Sequence, residues 1–152
     1  MIRKAQIQDV PAIYELLLNY SQKGLMLGRS LSELYERIRD FYITVQEGSP
    51  KPLAGTCALQ ICWEDLAEIR SLGVNPEFMG SDLGRRLLAA CETEAVSLGV
   101  HRLFVLTYIP DYFEKIGYNR IEKIALPQKI WADCFKCIKF PECGEIAMEK
   151  IL

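Results

Sequence analysis

The stretch Glu68–Leu88 constrains the fold more than any other part of this chain. It begins as a β-rich run, Glu68-Ile-Arg-Ser-Leu-Gly-Val74, and passes through a short loop carrying Pro76, Gly80 and Ser81. Apolar residues at helical spacing follow. A strand that feeds a helix through a glycine-bearing loop gathers unpaired backbone N–H groups and the positive end of a helix at one point, where an anion such as a pyrophosphate can sit. Such a unit needs a sheet to pack on, so the chain must mix helices and strands.

The flanking segments agree. Residues 2–7 read as a first strand with Ile2 and Ala5 as its apolar contribution. Asp9 stands as N-cap and Pro11 in the first turn of a helix whose Val10, Ile13, Leu17 and Tyr20 recur at helical spacing to about residue 21. Gly24 and Gly28 mark a loop over residues 23–29. Ser30-Leu-Ser-Glu33 has capping-box spacing for a second helix, with Leu31, Leu34, Tyr35 and Ile38 on one face. Phe41 to Gln46, Leu53 to Trp63 and Leu66 to Val74 are β-rich and separated by turns, which implies an antiparallel meander. A helix from Ser81 to Leu98 buries Leu83, Leu87, Leu88, Cys91, Ala95 and Leu98 and stops at Gly99. Leu103 to Thr107 is a short buried strand, and Tyr112 to Ile116 a helical turn ending at Gly117. Tyr118 opens another strand, residues 127–144 are irregular, and residues 145–151 close the sheet. The reading is one α/β (α+β) domain over residues 1–152, a mixed and mostly antiparallel sheet of about six or seven strands flanked by helices.

Charge and hydropathy exclude whole classes. A net charge of −2 provides no basic footprint for nucleic acid. No apolar run approaches the roughly 20 residues that cross a bilayer, so no membrane partner is expected. The N-terminus lacks the apolar core of a signal peptide, which points to the cytoplasm and to cysteines held as thiols.

In its order of elements, in the Val74-to-Leu88 turn and helix, and in the Tyr112–Gly117–Tyr118 segment, nearly the whole chain resembles the GNAT (Gcn5-related) N-acetyltransferase superfamily. That family's pyrophosphate motif, Arg/Gln-x-x-Gly-x-Gly/Ala, aligns here with Met79-Gly80-Ser81-Asp82-Leu83-Gly84. Only the last position and a neighbouring glycine are kept, and Asp82 brings a carboxylate where glycine lets phosphate approach or, pointing outward, caps the helix. Within the superfamily the chain is most similar to N-acetylglutamate synthase and its short relatives in arginine biosynthesis. Gly28-Arg-Ser-Leu-Ser-Glu-Leu34, Trp63 to Leu72, Arg102 to Thr107 and Leu126 to Cys137 carry that likeness.

The resemblance implies the GNAT fold, acetyl-CoA as co-substrate, no metal, and a small amino acid, glutamate first, as the acceptor of a direct transfer. A homodimer is left open. Glu68 takes the position of the glutamate base, a role suited to freeing an amine of its proton. Leu72, Gly73 and Val74 would offer backbone groups to the pantetheine arm, and Met79, Gly80, Ser81, Asp82, Leu83, Gly84 and Arg85 would surround the pyrophosphate. The tyrosine that often protonates the departing thiolate falls at Phe113, so Thr107 and, behind it, Tyr108 are the candidate hydrogen-bond donors there. A dicarboxylic substrate needs cations, best supplied by bidentate arginine, and the candidates are Arg29, Arg70 and Lys129. Simpler readings stand beside these: an ion pair between Glu68 and Arg70, a solvated Arg29, and strand propensity alone for Thr107. In an unbulged strand Glu68, Arg70, Leu72 and Val74 share one face, and a bulge would re-aim them.

Cys134-Phe-Lys-Cys137 with Cys143 has the spacing of half a zinc site without a matching second half. Cys57, Cys62 and Cys91 read as core thiols. Two alternatives remain open: acetyl transfer to another small amine, and a non-catalytic sensor domain on the same fold, suggested by Met79, Asp82 and Phe113.

Overall fold

A computed structural model describes residues 1–127 and 144–152. Among these described residues seven strands form one sheet in the order β1-β2-β3-β4-β5-β7-β6. The strands are β1 (Ile2–Lys4), β2 (Phe41–Val45), β3 (Leu53–Trp63), β4 (Leu66–Val74), β5 (Arg102–Thr107), β6 (Asn119–Arg120) and β7 (Ile146–Ile151). Among the described residues the β4–β5 pairing alone is parallel. Helices α1 (Val10–Gln22) and α2 (Leu31–Glu36) cover one face of the sheet. α3 (Leu83–Ser97) covers the other, and the short α4 (Pro110–Lys115) follows β5. This is the α/β architecture expected, with the meander running β2-β3-β4.

Each face buries the residues that its helix periodicity selects. Val10, Ile13, Leu16 and Leu17 of α1 meet Leu34, Phe41, Ile43 and Ala58. Leu87, Leu88, Cys91 and Ala95 of α3 meet Cys57, Leu59, Ala67 and Ile69. Residues 53–59 of β3 are buried on both faces, as a central strand between two helical layers must be. A third cluster, with Phe104 under Leu126 and Ala147, closes the β5–β7 side. Gly99 (φ +85°) and Gly117 (φ +98°) take left-handed backbone just past α3 and α4, where the amides of Val100 and Tyr118 reach back to Ala95 and Phe113.

Several expectations need correction. The first strand ends at Lys4, because Ile7–Asp9 turns into a 3-10 helix. Asp9 does not cap α1 through its side chain. Its carboxylate accepts the Gln6 N–H (2.7 Å) and both guanidinium nitrogens of Arg3 (2.9 and 3.1 Å). Of the predicted α2 face only Leu34 is buried; Leu31 and Tyr35 are exposed because the helix ends at Glu36 after two turns. Ser30 does cap α2, accepting the Glu33 N–H at 3.1 Å, but the Glu33 carboxylate turns to Arg29 instead of completing a box. α3 begins at Leu83, and Leu98, 59% exposed, lies beyond its last turn.

Candidate active-site cleft

β4 and β5 pair only at Ala67–Leu103 and Glu68–Phe104. Beyond that point β4 stays with β3 while β5 pairs along its whole length with β7, so the two parallel strands splay. The wedge between them opens into a cleft of about 990 Å³, walled by the C-terminal halves of both strands, the loop into α3, the loop after α1, and α4.

A bulge shapes the β4 wall. Ala58 of β3 faces Arg70, and Thr56 faces Gly73, so Cys57 alone stands opposite both Ser71 and Leu72. Ser71 absorbs the extra residue with φ +55°. The bulge reverses the side-chain phase, which corrects the one-face expectation. Arg70 and Glu68 lie opposite Ala58 and Gln60 on the α1 face, whereas Leu72 packs into the α3-side core and Val74 lies against Gly84 of α3. Asn75 donates to the Ala54 carbonyl (2.8 Å), so Val74, one residue earlier, turns its own N–H and C=O toward the cleft. There the Tyr20 hydroxyl meets both: it accepts the Val74 N–H at 3.4 Å and donates to the Val74 carbonyl. Gly73 is small because the Tyr20 ring lies over it, 3.3 Å from where a Cβ would stand. In the sequence Tyr20 counts only toward the helical spacing of α1, and nothing in that spacing reveals this role.

At the cleft's other end the loop into α3 makes two left-handed turns, at Gly80 (φ +84°) and Asp82 (φ +66°). Asp82 occupies the N-cap position without a side-chain cap, contrary to the expected capping role. Its carboxylate instead pairs with Arg85 one turn on (Oδ2 to Nη2 3.0 Å). The first intrahelical bond runs from Arg86 N–H to the Asp82 carbonyl at 3.2 Å, so the amides of Leu83, Gly84 and Arg85 precede the helix ladder. Tyr112 lies above them, its hydroxyl 2.8 Å from where a Gly84 Cβ would be. Burial, followed by the charge of Asp82, pushes the Tyr112 phenol up from its ordinary value, with Arg85 opposing. Met79, Gly80, Asp82, Leu83, Gly84 and Arg85 all line the cleft. Ser81 does not; its hydroxyl folds back on the Phe78 carbonyl.

Charged groups converge on the β4 wall. Glu68 and Arg70 are 3.8 Å apart, and Arg70 also donates to Gln60 (2.8 Å). The Arg29 side chain is only 3% exposed, so it is not a solvated loop residue. Its Nε donates to Glu33 (2.8 Å), its Nη1 to the Ser71 hydroxyl (3.3 Å), and its plane lies 5.2 Å from the Phe41 ring centre. Nη2 comes within 2.8 Å of the same Glu33 oxygen at an angle that leaves it without a hydrogen bond. Burial and the nearby Arg70 charge lower the Arg29 pKa and Glu33 raises it, but a guanidinium keeps its proton throughout.

On the β5 wall Thr107 is buried, and its hydroxyl accepts the Ile109 N–H at 2.9 Å, capping the strand end. Tyr108 follows it along the same wall. Phe113 is in the core, edge-on to Tyr112 and Tyr118. Lys123 and Glu145 also line the cleft and carried no motif to announce them. Lys129, Cys134, Cys137 and Cys143 lie outside the described residues. Among the described residues no cluster of His, Cys, Asp and Glu could hold a metal ion, and no helix is long and apolar enough to cross a membrane.

Residues 10–118 match the model of the acetyltransferase (GNAT) family. An uncharacterised N-acetyltransferase of Chlorobaculum tepidum is 41% identical over 151 residues, 99% of this chain and 96% of its own length. An amino-acid acetyltransferase of Mycobacterium tuberculosis is 33% identical over 80% of this chain and 70% of its own. Among solved structures, Rv2747 from Mycobacterium tuberculosis, in complex with CoA, matches with a TM-score of 0.85 at 26% identity, over 100% of this chain and 99% of that one. N-acetylglutamate synthase from Neisseria gonorrhoeae, complexed with coenzyme A and N-acetyl-glutamate, matches with a TM-score of 0.90 at 28% identity. There the chain is covered fully but spans only 35% of the longer synthase.

Proposed function

The chain belongs to the GNAT acetyltransferase family, and from that premise we propose that it transfers the acetyl group of acetyl-CoA directly to the α-amino group of a small dicarboxylic amino acid, glutamate before others. The reading rests above all on one observation: a carboxylate, Glu68, and two arginines, Arg29 and Arg70, share one wall of the splayed-strand cleft. In this scheme Glu68, directly or through water, takes a proton from the substrate ammonium. The freed nitrogen attacks the thioester carbonyl, the C–S bond breaks as the carbonyl re-forms, and the proton the acylated nitrogen gives up ends on the leaving CoA sulfur, which Thr107 or Tyr108 steadies as a hydrogen-bond donor. The β4 backbone at Leu72 and Val74 lines the pantetheine arm, which takes the place of the Tyr20 hydroxyl on the Val74 N–H and carbonyl. The loop from Gly80 to Gly84 and the first amides of α3 receive the pyrophosphate, with Arg85 as its cation. Arg29 and Arg70 hold the substrate's carboxylates. On this reading the domain serves arginine biosynthesis in the cytoplasm. The coenzyme A complexes and the amino-acid acetyltransferase name among its relatives support it.

The direct test is thiol release from near-millimolar acetyl-CoA against a panel of amino acids. Glutamate-dependent release is expected, and no release with any amine would refute the proposal. Glu68→Gln should lower kcat by roughly a hundredfold or more, most severely at low pH. Undiminished activity would remove Glu68 from the mechanism. Arg29→Ala and Arg70→Ala should each raise KM for glutamate about tenfold or more. A second acceptor class, a small amine without a second carboxylate, is favoured by two facts: Glu33 already occupies Arg29, and Glu145 adds a buried carboxylate to the cleft. Preference for glutamine or a simple amine over glutamate in the same panel would select it.

A further inference from the structure

Ser71 took no part in the arguments from sequence, yet it is the residue on which the β4 wall turns. It carries φ +55°, a left-handed conformation that serine adopts at a cost glycine would avoid. A bulge needs only a residue able to bend this way, so a serine there, where glycine would be easier, is the sign of a side chain with work to do. Its hydroxyl accepts the Arg29 Nη1–H at 3.3 Å. A guanidinium can only donate, so the serine's own proton must point elsewhere. Among the described residues none accepts it, and Ser71 lines the cleft. Arg70 precedes Ser71 in the chain, and Arg29 and Arg70 are close enough for each charge to be felt by the other. A third cation between them would be repelled; a neutral hydroxyl with its lone pair already engaged adds a directed donor without adding charge.

Resting on the proposed amino-acid acceptor, we propose that the Ser71 hydroxyl is a specificity-determining donor. With Arg29 and Arg70 it forms a three-donor set that takes a substrate side-chain carboxylate and disfavours a carboxamide. A carboxylate offers two acceptor oxygens to the set; a carboxamide offers one and turns an NH₂ group toward donors.

The test compares KM for glutamate and for glutamine, together with the Kd of acetyl-CoA, in the unsubstituted protein, S71A and S71G. Ser71→Gly is the decisive variant, because glycine accepts the left-handed backbone without strain and keeps the bulge. Both variants should raise KM for glutamate roughly tenfold. KM for glutamine, kcat and the Kd of acetyl-CoA should all stay within about twofold. An unchanged glutamate KM in S71G overturns the role. So does a parallel rise in the glutamine KM or the acetyl-CoA Kd, which would mark the bulge rather than the hydroxyl as what was lost. Failure of the unsubstituted protein to acetylate any carboxylated amino acid would instead defeat the acceptor assignment, and this proposal with it.

Discussion

At the scale of single residues, the loop before α3 keeps little of a phosphate motif yet turns backbone amides toward the cleft. Asp82 stands where left-handed backbone is required, and its side chain is neutralised by Arg85 rather than aimed at the helix amides. Met79, 65% exposed on the rim, contributes no charge. In the proposed binding mode backbone amides would therefore carry the anion, with Asp82 competing for the nearest cation. Asp82→Gly should tighten acetyl-CoA binding measured by titration calorimetry about threefold to tenfold, by relieving the backbone and releasing Arg85. Weaker binding would mean that the Asp82–Arg85 pair itself shapes the site. Asp9 provides a prediction about acid stability. Burial works against its charge, but the Arg3 fork and the Gln6 amide outweigh burial and hold its carboxyl below the ordinary carboxylate range. Its contribution is thus fully present above that range and lost as pH falls through the depressed folded value. Asp9→Asn should cost about 1 kcal/mol in urea unfolding at pH 7, given that Arg3 is partly exposed, and progressively less below about pH 4.

At the scale of elements, β3 and β4 match their expected bounds, Leu53–Trp63 and Leu66–Val74, because long apolar runs between turn residues leave little choice of phase or ends. The bulge inside β4 left no comparable mark. Ser71 and Leu72 are ordinary strand residues, and the extra residue is visible only against the partner strand, in the jump from Ala58–Arg70 to Thr56–Gly73. The splay of β4 from β5 is equally a matter of partners: β7, some forty residues later in the chain, takes β5 away. Contact between elements also explains a glycine. A Cβ on Gly55 of β3 would stand 2.9 Å from Leu87 Cδ1 of α3 and 3.2 Å from the Gly73 carbonyl. Gly55→Ala should therefore cost about 1–3 kcal/mol by overpacking, read as a lower denaturation midpoint. It should also weaken acetyl-CoA binding, since the displaced groups belong to the helix and strand that wall the cleft. A variant as stable as the original would show that α3 can slide.

For the whole molecule, the two helical layers and the third cluster beside β5 hold the sheet on either side of a gap that is apolar in its depth and charged along the β4 wall. A co-substrate spanning that gap ties together β4, α3 and α4, none of which it can reach once the chain unfolds. At about a hundred times its Kd, acetyl-CoA should stabilise the fold by about 2.7 kcal/mol and raise Tm by a few degrees. No shift at saturation would place the binding energy elsewhere. The sequence alone determined the element order, the apolar faces of α1 and α3, the two glycine stops at Gly99 and Gly117, and the strand-loop-helix unit. Each of these follows from local periodicity and backbone preference, which neighbouring residues state in full. Tertiary structure alone decided that Arg29 is buried against Glu33 and Ser71, that Tyr20 sits on the Val74 backbone, and that Leu72 leaves the face of Glu68. Those facts depend on which distant residue completes a hydrogen bond or opposes a strand, and a linear pattern does not encode the identity of a partner.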